Sequence, residues 1–120
     1  MTETSAVAAA PAVSVVVPVR NEAGNIAPLV NEIAAALDGR WSFEVVYVND
    51  GSSDGSESEL LRLMASRQWL RQIRHAISCG QSAAVRSGAA AARAPIVVTL
   101  DGDGQNDPAF IPALVQALIE

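Results

Sequence analysis

The segment Asp101-Gly102-Asp103-Gly104-Gln105-Asn106-Asp107 sets three carboxylates and two carboxamides within seven consecutive positions. Oxygen donors spaced i, i+2, i+4, here Asp101, Asp103 and Gln105, can face one side of a hard divalent ion, Mg²⁺ or Mn²⁺. Such an ion keeps its remaining positions for water and for the oxygens of a diphosphate. Zinc is disfavoured, because the only other metal-ligating types are one histidine, His75, and one cysteine, Cys79. A calcium loop of the EF-hand kind starts with the same alternation of acids. Its sixth position, which needs glycine, would be Asn106, and its twelfth, which needs glutamate, would be Pro112. The plain alternative is a turn in which the acids serve only to cap the helix that opens at Asp107-Pro108.

The elements that must hold this segment follow from hydrophobic period. Val13–Val19 (VSVVVPV) is a β-branched, nearly continuous apolar run, suited to a strand covered on both faces. Ile26, Leu29, Val30, Ile33, Ala34 and Leu37 recur at helical spacing and stop at Asp38-Gly39. Phe43–Val48 reads as a second strand, followed by the polar string Asn49-Asp50-Gly51-Ser52-Ser53-Asp54-Gly55-Ser56. A helix carrying Leu60, Leu61 and Met64 comes next, then a third strand over Trp69–Ile73. An alanine-rich helix from Gln81 to about Arg93 precedes a fourth strand, Pro95–Leu100, and an amphipathic piece runs from Pro108 to the end. Strand and helix thus alternate four times, which predicts an α/β fold with an open, doubly wound, mainly parallel sheet in a three-layer α/β/α arrangement.

In such a sheet every strand ends at the same edge, and ligands bind there, where the winding reverses. Arg20-Asn21-Glu22, Asn49-Asp50-Gly51-Ser52 and the aspartate segment all fall at that edge. Asp50, Asp101 and Asp103 would repel one another there unless a cation offset their charge, which is a second reason to expect a metal.

Composition limits the partners. The formal charge is −5 and no lysine is present, so no general field attracts nucleic acid or anionic lipid. Bound phosphate must be held locally, by a cation, by backbone N–H groups or by a few arginines. A single cysteine makes no intrachain disulfide, and a cytoplasmic setting is the expectation. Residues 1–12 lack the basic start and apolar run of a signal peptide and read as a disordered leader.

With these residues in place, the chain resembles the inverting family 2 glycosyltransferases of the GT-A fold, in particular the polyprenyl-phosphate sugar synthases similar to dolichyl-phosphate mannose synthase. VSVVVPVRNEAGNI resembles their opening strand and P-x-x-N-E turn, and VVYVNDGSSDGS their D-D-G-S-x-D loop, with Asn49 in place of the first aspartate. GQSAAVRSGAAAARAPIVVTLDGDGQNDP resembles their G-x-x-x-A-x-x-x-G helix, strand and D-x-D-x-Q-x-P segment, in the same order. The resemblance implies a Rossmann-like half of a GT-A domain over residues 13–120. It implies a UDP- or GDP-sugar donor contacted by Pro18, Arg20, Glu22, Asp50 (to the base) and Asp101, and a metal held by Asp101, Asp103 and Gln105. Gln81 and Arg86 would lie on the donor side. The acceptor implied is a polyprenyl phosphate, at the cytoplasmic membrane face in a full-length protein.

That acceptor is already an anion and needs positioning more than deprotonation, and the sequence offers no assignable general base. The family's catalytic domain is about twice this long. The expectation is therefore a truncated N-terminal half that binds donor, is inactive alone, and self-associates through uncovered apolar surface. His75 and Cys79 are expected to be structural, and Trp41 and Trp69 core anchors. A non-catalytic α/β nucleotide- or metal-binding module is the competing class. A receiver domain would need an aspartate after the third strand and a late lysine, and a dinucleotide site would need G-x-G-x-x-G where the chain has R-N-E-A-G-N.

Overall fold

The computed structural model describes residues 10–103 and 107–120. Its order is β1 (Val13–Val19), α1 (Ala23–Leu37), β2 (Phe43–Asp50), α2 (Ser56–Met64), β3 (Leu70–His75), α3 (Gln81–Ala91), β4 (Ile96–Thr99), a 3₁₀ turn (Pro108–Phe110) and α4 (Ile111–Ile119). The expected leader falls mostly outside the described residues; at its end, the Ala12 amide donates to the Ser42 backbone carbonyl at 3.0 Å. No helix among the described residues is long and apolar enough to cross a membrane.

All pairings are parallel and the sheet order is β3-β2-β1-β4. The chain therefore winds outward from β1 to β3, then returns to the other side of β1. Right-handed crossovers place the first two connecting helices on one face and the third on the other. The packing agrees. Val13, Val15, Val17 and Val19 join Ile26, Leu29, Val30, Ile33, Leu60, Leu63, Ile111 and Val115 in the larger core, while Val16, Val46 and Val48 meet Ala84 of α3. β1 is buried along its whole length, as its unbroken apolar run requires.

The α3 face is thin because α3 lies close to the sheet. A Cβ placed on Gly88 would come 2.3 Å from Val16 Cγ1, so the helix meets the strands through Ala84 and Gly88, one turn apart. Trp41, Phe43 and Trp69 pack against the larger core, with the Phe43 and Trp69 rings 5.0 Å apart.

β3 runs over Leu70–His75 and not Trp69–Ile73, β4 is one residue shorter at each end than read, and two further boundaries differ for a physical reason. β2 continues through Asn49 and Asp50, which pair with Arg74 and His75; the cross-strand ladder outweighs the turn-forming character of those residues. α3 stops at Ala91 because the next amides are taken elsewhere. Arg93 N donates to Glu44 Oε2 at 2.7 Å and Ala94 N to Ser14 Oγ at 3.1 Å. Glu44, near the start of β2, is 2 % exposed and also accepts from Ser14 Oγ at 2.6 Å and Arg71 Nε at 3.0 Å. Burial pulls its pKa up, but the bonds from Ser14, Arg93 N and Arg71 with the Arg71 charge outweigh it, and the pKa lies below the ordinary value.

Pro18 stands in the central strand, an unusual place for a residue without an N–H. Val16 O accepts from Leu100 N at 3.0 Å, so alternate residues of β1, Pro18 included, turn their backbone polar groups toward β4. Pairing with β4 ends at Val16–Thr99. Pro18 lies beyond that point, needs no ladder partner, and marks where the two strands part.

One core group lacks compensation: Tyr47 Oη is buried with no hydrogen-bond partner among the described residues. An unsatisfied buried hydroxyl costs about 1–3 kcal/mol. Tyr47→Phe is expected to hold or raise the urea midpoint at unchanged slope; a lowered midpoint would show that the hydroxyl is bonded in solution.

Candidate functional site

A cleft of about 390 Å³ opens at the C-terminal ends of β1 and β4, where the winding reverses. Its lining includes Pro18, Arg20, Glu22, Asp50, Gln81, Asp101 and Asp103. Six of the seven residues singled out from sequence are therefore brought to one place; the seventh, Gln105, lies outside the described residues. Arg86 is exposed on α3 and is not part of the lining.

The β1–α1 turn is shaped by the loop after β2. Asn21 takes a left-handed conformation, φ +58°, which asparagine tolerates better than most residues. Its amide donates to Ser52 Oγ at 2.9 Å, and its Oδ1 accepts from the amides of Ser53 and Asp54 at 2.8 and 3.2 Å. The Glu22 and Ala23 amides donate to Ser56 Oγ and Asp54 Oδ2, both at 3.2 Å. Orphan amides at the start of α1 are thus served by another loop and not by a residue of their own. Bonds from Ser56, with smaller ones from Ala23, hold the Asp54 carboxyl below its ordinary pKa. With the turn backbone fixed this way, Arg20 and Glu22 face the cleft. Glu22 Oε1 accepts from Asn25 Nδ2 at 2.6 Å, and the same amide reaches the Asp103 carbonyl at 3.4 Å.

The aspartate pair is set by the glycine between them. A Cβ on Gly102 would fall 2.2 Å from Val19 Cγ1 and 2.7 Å from Pro18 O. The second of these is backbone and cannot move aside. Gly102 is buried against the end of β1 while Asp101 and Asp103 are exposed on the cleft. Asp101 Oδ1 accepts from Gln81 Nε2 at 2.9 Å, tying β4 to the start of α3. The capping alternative belongs to a different residue: Asp107 Oδ1 accepts from Ala109 N at 3.0 Å and starts the 3₁₀ turn before Pro108.

Asp50 is organised differently from the other acids. It is 4 % exposed. Oδ1 accepts from His75 Nδ1 and the Cys79 amide, both at 2.8 Å; Oδ2 accepts from Ser78 Oγ and the Gly80 amide, both at 2.9 Å. Burial pulls its pKa up, but the four bonds outweigh it and hold the carboxyl well below the usual range. Its acceptor sites are spent on its own chain, so Asp50 shapes the wall of the cleft in this structure. Asp50, His75 and Cys79 also place an oxygen, a nitrogen and a sulfur within 4.8 Å of one another, but the carboxylate is already saturated. Asn49, also buried, accepts from Ser52 N at 3.2 Å and donates to Gln72 Oε1 at 3.0 Å. An aspartate could do only the first, and would add a second buried charge beside Asp50.

His75 is structural, as expected, and supports this wall from behind through Asp50 and Ser87; the only sequence signal for those partners was its place at the end of a strand entering the same edge. Ser52, Asp54 and Ser56 of the polar string after β2 serve two segments: Ser52, Ser56 and Asp54 accept from the Asn21, Glu22 and Ala23 amides, and Asp54 Oδ1 accepts from Ser56 N at the start of α2 at 2.9 Å.

Residues 14–120 match the family described as Glycosyl transferase family 2. The chain belongs to that family. Among curated relatives it is 39 % identical over 111 residues to the undecaprenyl-phosphate 4-deoxy-4-formamido-L-arabinose transferase of Aeromonas hydrophila, covering 90 % of this chain and 34 % of that protein. It is 38 % identical over 109 residues to the dodecaprenyl-phosphate galacturonate synthase of Rhizobium johnstonii, covering 88 % and 32 %. The chain spans about a third of the length of these relatives. Among solved structures, a mannosyltransferase from Pyrobaculum calidifontis in complex with GDP-Man and Mn²⁺ superposes with a TM-score of 0.71 at 30 % identity, over 79 % of this chain and 28 % of that one. The glucosyl-3-phosphoglycerate synthase of Mycobacterium tuberculosis, at 24 % identity, shares the fold with a TM-score of 0.69 over 90 % and 39 % of the two chains. The family 2 chain has the GT-A architecture expected of it.

The sign of its acid response follows from Asp50. A folded-state pKa below the unfolded value contributes stability that is complete above the unfolded pKa and is lost as pH falls through the folded one. Stability of this family 2 chain should hold down to about pH 4, near the unfolded carboxyl value, and decline below it. Asp50→Asn should be less stable at pH 7 and decline less steeply, as thermal melts followed by circular dichroism between pH 2 and 7 would show.

Proposed function

We propose that this chain is the donor-binding part of a metal-dependent, inverting transferase that moves a sugar from a nucleoside diphosphate to a polyprenyl phosphate. The observation that supports it most is the cleft itself, where Gly102, wedged against β1, presents Asp101 and Asp103 opposite Arg20 and Glu22. The relatives named for undecaprenyl- and dodecaprenyl-phosphate substrates motivate the acceptor, and the Pyrobaculum complex motivates a nucleotide sugar with Mn²⁺.

The donor set fits a hard divalent ion. The acids lining the cleft beside Gly102 offer only oxygens, no histidine or thiol lines it among the described residues, and two exposed carboxylates two residues apart have reason to share a cation. Asp101 and Asp103 would hold Mg²⁺ or Mn²⁺, with Gln105 as the third ligand implied by the resemblance. The ion, when bound, offsets charge on the departing diphosphate. Gln81 holds Asp101 in orientation through its 2.9 Å bond. Arg20 supplies the fixed positive charge of the lining, facing the anionic donor. The α3 N-terminus, from which the Ala84 amide is the first to return to the helix, at Gly80 O, presents further N–H groups to phosphate. Pro18 and Glu22 form the wall against which the nucleoside would lie, and Asp50 keeps that wall closed from behind.

The acceptor phosphate needs no proton removed, which agrees with an Asp50 whose oxygens are all engaged and unsuited to act as a base. Acceptor binding and catalysis would draw on residues outside this chain, at the cytoplasmic face of a membrane where a lipid-linked phosphate is reached. The exposed apolar residues Phe110, Leu114, Leu118 and Ile119, with Val97 on the edge strand β4, support self-association of the isolated chain. Light scattering at rising concentration should show a mass above the monomer; a constant monomer mass would remove that expectation.

Calorimetric titration with GDP-mannose and with UDP-sugars, with and without Mn²⁺, tests the main reading. Binding should require the ion, Asp103→Ala should abolish the ion-dependent part, and Gly102→Ala should weaken it by roughly tenfold by displacing both ligands. Binding that ignores Mn²⁺ and survives Asp103→Ala would overturn the assignment.

A further inference from the structure

The chain's single histidine joins three elements. His75 ends β3; its Nδ1 lies 2.8 Å from Asp50 Oδ1 on β2, and its Nε2 lies 2.9 Å from Ser87 Oγ on α3. The ring is 16 % exposed and the Asp50 side chain 6 %. Aspartate, histidine and serine are connected here in the order of a hydrolytic triad. Ser87, however, sits inside α3, where backbone amides are committed to helical bonds and none is left to stabilise an oxyanion, and it does not line the cleft. The array is a tether and not a nucleophile.

Its position tells what it tethers. Asp50 receives Ser78 Oγ, Cys79 N and Gly80 N, so the orientation of one carboxylate fixes the whole β3–α3 loop. Gly51, at φ +69°, is pressed against that loop: a Cβ there would come 2.5 Å from Ser78 N. The loop ends at Gly80, α3 begins at Gln81, and Gln81 Nε2 reaches Asp101. A path of direct contacts thus runs from His75 through Asp50, the loop and Gln81 to Asp101, just beyond β4. An ionised carboxylate can only accept, so the ring's Nδ1 must donate to it, and in the neutral ring Nε2 is left to accept from the Ser87 hydroxyl.

We propose that His75 is a positioning residue for the cleft. Its Nδ1 holds Asp50 in the orientation that receives the Ser78–Gly80 segment, its Nε2 pins α3 at Ser87, and together they place Gln81 against Asp101. The tether itself rests on the geometry alone; its consequence for ion binding rests on the donor-site reading above.

The two parts are tested separately on the 120-residue chain. With one histidine present, the ring ¹⁵N spectrum needs no assignment, and it should show the proton on Nδ1; a ring carrying it only on Nε2 would overturn the tether. His75→Ala should speed hydrogen exchange at the Cys79 and Gly80 amides by about tenfold, the loss of one hydrogen bond. His75→Asn, whose amide can occupy the place of Nδ1, should restore protection, whereas His75→Gln, which reaches toward Ser87, should not. Unchanged exchange in a folded His75→Ala, or equal loss in the Asn and Gln variants, would refute the proposal; if His75→Ala does not fold, the Asn and Gln pair decides. Mn²⁺ affinity, read from the resonance of the free ion, should fall by about tenfold in His75→Ala and recover in part in His75→Asn, which restores the bond to Asp50 but not the one to Ser87. Wild-type chain that binds no Mn²⁺ would overturn the donor-site reading while the exchange data still judge the tether; wild-type binding that His75→Ala leaves unchanged would refute the role of His75 in positioning the acids.

Discussion

The Asp50 carboxylate is the constraint on which the cleft edge of the sheet depends. A charge that is 4 % exposed is costly unless its oxygens are bonded, and all four of its bonds come from a single neighbouring stretch, His75 to Gly80. That stretch has no regular structure between β3 and α3 and carries an 79 %-exposed isoleucine, Ile77, so apolar packing cannot define its path. The carboxylate does. Removing it would leave two amides, a hydroxyl and an imidazole without acceptors at the base of the cleft, which is why its contribution exceeds that of one ion pair.

The opposite edge of the sheet repeats the device. Glu44 receives Ser14, Arg71 and the Arg93 amide and decides where α3 ends, as Asp50 decides where it begins. α3 is consequently held at both ends by a buried acid of β2, while its middle contacts the sheet through Ala84 and Gly88 with little apolar area. A helix with so thin an interface gains less from burial than α1 does, and the two acids supply the directional restraint that the alanine-rich face lacks. The arrangement also accounts for the difference between the faces: the side bearing α1, α2 and α4 is fixed by side-chain packing, and the α3 side, which carries Gln81 to the cleft, by polar bonds.

The fold was legible because β1 and the middle of β2 are nearly continuous apolar runs and the intervening helices have clear periods; these patterns determine layer, face and winding together. The convergence of Arg20, Glu22, Asp101 and Asp103 followed, since strand ends in a parallel sheet share an edge. What the sequence did not disclose was the division of labour among acids with the same side chain. Asp50 ends β2 and Asp101 follows the end of β4, yet one is saturated by a loop 25 or more residues away and the other faces the cleft. That distinction arises from contacts between segments remote in sequence, and no local pattern encodes it. The same holds for Asp54 and Ser56: Asp54 Oδ1 takes the Ser56 amide at the start of α2, as its local surroundings suggest, but Asp54 Oδ2 and Ser56 Oγ also take the Ala23 and Glu22 amides at the start of α1. His75 was unreadable for a related reason: an isolated histidine gives no sign of what each ring nitrogen will meet.

Gly102 illustrates how a short motif acquires meaning from its setting. Two aspartates separated by any residue would satisfy the spacing, but only glycine fits between Val19 and the Pro18 carbonyl. The fit exists because Pro18 ends the pairing of β1 with β4 and leaves a gap of backbone width, into which the chain leaving β4 can fold back. Strand divergence, the proline and the glycine are therefore one feature: the proline removes the ladder donor that would otherwise demand a partner, the gap admits a residue without a side chain, and the flanking carboxylates are turned outward into the cleft. The backbone that carries this acid pair is fixed by Gly102 before any ligand arrives, so an ion held there would cost little main-chain ordering entropy.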